Sequence, residues 1–105
     1  MAITRKAKSI DLTTTLTTNL LTAGSGEVIE IIHAIATVSA DGGTISIGVA
    51  DTSTGVTSYL WNTASMFKNQ PREVADIRLE TGDSLVGGYT SATDAKLYLA
   101  YNVIT

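Results

Sequence analysis

The chain has 105 residues, of which 44% are apolar and 16% charged, with no cysteine, one histidine and a formal net charge of −3. That length makes one domain, able to bury roughly two-thirds of its unfolded surface. The lack of thiols excludes disulfide scaffolds, thiolate zinc sites and thiol catalysis, and the apolar content argues against disorder.

Residues 1–10, MAITRKAKSI, carry Arg5, Lys6 and Lys8 and no acidic side chain. The rest of the chain holds four basic against ten acidic groups, a balance of −6. A short basic N-terminal arm on an acidic body suits a tail that reaches an oppositely charged neighbour, a frayed and solvated terminus being the alternative. An acidic body argues against nucleic acid as a partner. The first residues lack the apolar core of a signal peptide, and no run approaches the ~18 apolar residues of a membrane-spanning helix. Folding in the cytoplasm, with no membrane partner, is the expectation. Low charge density further predicts that a neighbour covers part of the outer surface.

From residue 11 the chain is a series of short β-type segments. Asp11–Leu21 is rich in β-branched Thr and predicts an extended strand, broken near Thr15. Ala23-Gly24-Ser25-Gly26 is a turn. Glu27–Ser39 has Ile and Val on both parities, as in a central strand that is covered on two sides or carries a bulge. Asp41-Gly42-Gly43 signals a hairpin, and Thr44–Asp51 alternates cleanly, with Ile45, Ile47 and Val49 on one side. Val56–Asn62 follows the Thr52–Gly55 turn. Thr63–Arg72, with Pro71, is the longest predicted connection, and Met66 and Phe67 are expected to anchor it at the core edge.

Glu73–Glu80 resumes a strand with Ile77 and Leu79 inward. Thr81-Gly82-Asp83 turns into Ser84–Thr90, and Ser91-Ala92-Thr93-Asp94 leads to a last strand with Leu97, Leu99, Tyr101 and Val103 on one face. Seven or eight strands at such spacing predict an all-β fold. We expect an antiparallel, jelly-roll-like β-sandwich over residues 11–105, with the arm in front.

In order, Leu12–Leu16, Ala23-Gly24, Ile29–Ser39, Thr44–Val49, Leu79-Glu80-Thr81-Gly82-Asp83-Ser84-Leu85 and Leu97–Ile104 resemble small β-sandwich virion proteins of tailed bacteriophages. The resemblance covers nearly all of the chain after residue 10. One departure is Thr22, where that group often has Pro before Ala-Gly. The resemblance implies a structural subunit located in the virion and assembled in the host cytoplasm. Its first expected role is a capsid decoration (cement) protein, with a neck or tail accessory protein as the alternative. Expected partners are the major capsid protein or other virion proteins, together with further copies in a homo-oligomer.

Candidate chemistry is sparse, and the expectation is a protein that is not an enzyme. His33 stands alone in the most apolar strand, so a hydrogen-bonded structural role is expected rather than a metal or general-base role. The turn carboxylates Asp41, Asp51, Asp83 and Asp94 are too far apart for a calcium loop and suit local capping. No catalytic residue, cofactor site or metal site is predicted. Gly87-Gly88 predicts a bulge or the close approach of another backbone, including that of a second subunit. Tyr59 and Trp61 alternate on one strand. If Leu60 points inward, both rings face outward as an interface anchor or a sugar platform; otherwise both fill the core. The candidate interface set is therefore Arg5, Lys6, Lys8, Tyr59, Trp61, Gly87 and Gly88. The outward pair is also the basis for a rival reading as a carbohydrate-binding module for host attachment.

Overall fold

Alternation decides which side of each strand meets the core. In the last strand, Leu97, Leu99, Tyr101 and Val103 are buried, while Lys96 and Tyr98 between them are exposed. A half-buried antiparallel strand has this period of two. The computed structural model describes residues 1–90 and 94–105. Within them are eight strands: β1 Ile3–Asp11, β2 Thr18–Thr22, β3 Val28–Val38, β4 Gly43–Asp51, β5 Val56–Met66, β6 Arg72–Leu79, β7 Ser84–Thr90 and β8 Ala95–Ile104. The predicted turn at Ser91-Ala92-Thr93 lies outside the described residues.

Two four-stranded antiparallel sheets face each other, β1-β8-β3-β6 (sheet A) and β2-β7-β4-β5 (sheet B). Successive strands alternate between the layers except for the β4–β5 hairpin, and this is the strand order of a jelly-roll sandwich. Ile29, Ile31, Leu79, Leu97 and Leu99 of sheet A meet Ile45, Ile47, Met66 and Leu85 of sheet B in one core. The short axis of 18 Å fits two sheets ~10 Å apart and no third layer of secondary structure.

Paired bulges explain why β3 carries aliphatic residues on both parities. Against β8 the register slips between Ile31 and His33, so Ile29 and Ile31 face inward before the slip and Ala34, Ala36 and Val38 after it. Across from it, β6 makes the same change at Asp76, whose φ is 58°, so that Ile77 and Leu79 on one side and Val74 on the other all pack on the core. The β3–β6 register is therefore unbroken. Of the two explanations open for β3, the bulge is the one found.

The basic segment predicted as an arm is strand β1, paired with β8 from Ile3↔Ile104 to Asp11↔Lys96. All its residues but Ile10 are exposed, so the apolar alternation that marks other strands is missing here and the sequence looks like a tail. The connection after Asn62 is also shorter than expected. β5 runs on to Met66, which is buried, whereas Phe67 is exposed in the turn closed by Gln70 N–H donating to the Phe67 carbonyl at 3.2 Å.

Candidate interaction surface

The outer face of sheet A is a ladder of cross-strand rungs, since directly opposed residues share a face. The first rung is apolar, Ile3, Ile104 and Val28. The second is polar: Arg5 Nε donates to Asn102 Oδ1 at 2.9 Å, and beyond Asn102 come Glu30 and Arg78. Arg78 lies 3.7 Å from Glu30 and 2.8 Å from Glu80, and its guanidinium is held above its ordinary pKa by the Glu80 hydrogen bond first, then by the charges of Glu80 and Glu30. The third rung sets three alanines around a histidine: Ala7, Ala100, His33 and Ala75.

Ser9, Tyr98, Ile35 and Glu73 form the fourth rung, and Asp11, Lys96 and Thr37 the fifth, with Lys96 Nζ 3.5 Å from Asp11. Several charges on this face are thus neutralised by one another. Ile3 and Tyr98 stay 58% and 44% exposed, so a substantial apolar area remains bare. Exposed apolar surface rimmed by polar groups is characteristic of a protein-contact face.

Sheet B treats its outer face differently. Gly88 lies beneath the β1–β2 loop: a Cβ there would collide with the carbonyl oxygens of Thr13 and Thr15. Tyr89 N–H donates to Thr13 O at 2.9 Å and fixes that loop on β7. Gly48 lies under Tyr59, whose ring carbon would be 3.1 Å from a Cβ. Ser46 is buried and its Oγ accepts from Thr63 N–H at 3.0 Å. The chain's own loop and edge strand cover much of this side.

These contacts revise several predicted interface residues. Tyr59 and Trp61 do not share a face, because β5 has two register shifts against β4, placing Trp61 opposite Ile47 and Tyr59 opposite Gly48. Trp61 is 9% exposed and belongs to the core, while Tyr59 is 43% exposed on the outer side. The two-ring sugar platform is therefore absent. Gly87 and Gly88 are buried, and the backbone that approaches them belongs to this chain: Ser46 with Ile47 over Gly87, Thr13 and Thr15 over Gly88.

Arg5, Lys6 and Lys8 remain exposed, now on an ordered strand. Lys6 and Lys8 oppose Tyr101 and Leu99, on the side of sheet A that elsewhere faces the core, and they are exposed because sheet B leaves that edge uncovered. His33 sits half-buried on the outer face between Ala75 and Ala100.

The outer face itself escaped sequence reasoning, because its members come from four strands far apart in the chain. The one available signal was the surplus of aliphatic residues in β3, Val28 and Ile35 being left over once the core had been filled.

Other features are local. A recess of about 510 Å³ opens beside Asp11, Lys96, Thr37 and Asp94 at the end of sheet A. No group of three or more His, Asp or Glu able to hold a metal occurs among the described residues. Asp51 closes the β4–β5 turn, accepting from Ser53 Oγ at 2.7 Å and Ser53 N–H at 2.8 Å. Those bonds, the side-chain one first, hold its carboxyl below the ordinary aspartate pKa. Asp83 likewise accepts from Thr52 N–H at 3.1 Å and Glu80 N–H at 3.2 Å, tying two turns together. Compared with known proteins, the chain matches no family model, no curated protein and no solved structure.

Proposed function

We propose that this chain is a structural subunit of a tailed-bacteriophage virion, acting as a decoration protein that stabilises the capsid shell through protein–protein contacts. The observation that carries this reading is the bare outer face of sheet A, with Ile3, Ile35, Tyr98 and Ile104 exposed or half-buried among mutually paired charges. Laid across neighbouring shell subunits, such a face buries apolar area and opposes their separation. The ordered resemblance of the sequence to small phage virion proteins supplies the setting. Copies at symmetric shell positions would make equivalent contacts, consistent with an oligomeric assembly.

Co-sedimentation with undecorated particles of the encoding phage tests the proposal, using the intact chain beside an Ile35→Asp/Tyr98→Lys variant. Binding of the intact chain and its loss in the folded variant are expected. An intact chain that stays in the supernatant would overturn the reading. Binding at a copy number matching a tail or neck ring, instead of the shell, would move the protein to that accessory position.

A further inference from the structure

We infer that the free edge of β1 is a strand-addition site that accepts an extended, acidic segment of another protein. This goes beyond the shell-binding proposal and concerns the isolated chain, whatever particle it joins.

Backbone parity identifies the unused groups. Ala2 and Thr105 exchange both backbone hydrogen bonds at 2.9 Å, and Leu12 N–H donates to Ala95 O at 2.9 Å. With the register unbroken between them, the even-numbered residues of β1 turn their N–H and C=O toward β8. Ile3, Arg5, Ala7, Ser9 and Asp11 therefore turn theirs toward the open side. An unpaired row of this kind is a template for another strand.

The other three edges are interrupted. β2 has five residues and a register shift, β5 has two shifts and Thr63 at φ 50°, and β6 follows Pro71 and carries the Asp76 bulge. Each device deters pairing. β1 has none of them: nine residues run without proline, glycine or bulge.

Charge selects the occupant. Arg5 projects from the outer face and Lys6 and Lys8 from the opposite one, so an added strand meets positive charge on both faces. Neither lysine has an ion-pair partner among the described residues. A second copy paired antiparallel over the full strand would set Lys6 opposite Lys8 twice, and like charges directly opposed are destabilising. An acidic strand reverses that sign.

Amide hydrogen exchange on the purified protein tests this, with a nine-residue peptide alternating Glu and Val, matched to the strand length, and a Lys-for-Glu peptide as its counterpart. At millimolar Glu peptide, exchange at Ile3, Arg5, Ala7, Ser9 and Asp11 is expected to slow by about fivefold or more, with Thr4, Lys6, Lys8 and Ile10 already protected by β8. The Lys peptide should have no effect, and a Lys6→Glu/Lys8→Glu variant should invert the preference. Ala7→Pro, which removes one open-side N–H and leaves the β8 ladder its donors, should abolish the protection. No slowing with the Glu peptide, or equal slowing with both, would overturn the inference. Protection that grows with protein concentration alone would also overturn it, in favour of self-pairing.

Discussion

The two outer faces of the sandwich use small residues for opposite ends. On sheet B, Gly48 and Gly88 are small because other parts of the chain lie on them: the Tyr59 ring on one, the Thr13 and Thr15 carbonyls on the other. On sheet A, Ala7, Ala100 and Ala75 form a low central rung with larger residues on both sides of it. A small side chain can therefore mark a contact already made within the fold or a surface left open. Only the position of the rest of the chain tells the two apart.

Substitutions at these places sharpen or break the contrast, and the largest effect belongs to the buried ring of sheet B. Trp61→Ala is expected to destabilise the fold by about 3–5 kcal/mol in denaturant unfolding, whereas exposed Tyr59→Ala should cost clearly less. Equal costs would mean that the two rings share an environment after all. Next comes Gly88→Val, where the loop must move; about 1–3 kcal/mol is expected, and Ala100→Val on sheet A should stay within about 0.5 kcal/mol.

Smaller again is the effect of Ile35→Asp/Tyr98→Lys on the isolated chain, about 1 kcal/mol or less by thermal or denaturant melts, since both side chains lie on the outer face. The smallest is electrostatic. Asp51 has a lowered pKa in the fold, so its contribution is present above the ordinary aspartate value of about 4 and lost as pH falls through the folded value. The stability difference between the native chain and Asp51→Ala should shrink in that acidic window, and a difference that widened there would contradict the assigned turn.

Most of the sandwich was legible from period-two patterning and turn chemistry. β4 and β8 alternate without ambiguity, and Asp41-Gly42-Gly43 does separate β3 from β4, with Gly42 at φ 97°. Two regions resisted, for distinct reasons. β1 is held by its ladder to β8 with little burial, so it carries no apolar pattern to detect. In β5, extra residues change which side each ring occupies; a bulge obeys local geometry and cross-strand pairing, neither of which the residue types at 59–63 disclose. The candidate face depended on sheet order, because Ile3, Val28 and Ile104 become neighbours only once β8 lies between β1 and β3.

The matched irregularities at Ile32 and Asp76 couple two stretches of the gene. Deleting one codon at position 32 alone would remove the residue that is extra against β8 and keep the facing of β3, but it would leave Asp76 of β6 with no residue opposite it. Deleting position 76 as well would make the pairing of those two strands continuous again, with β8 in step. Sequence drift in this protein should therefore change length at the two positions together or at neither.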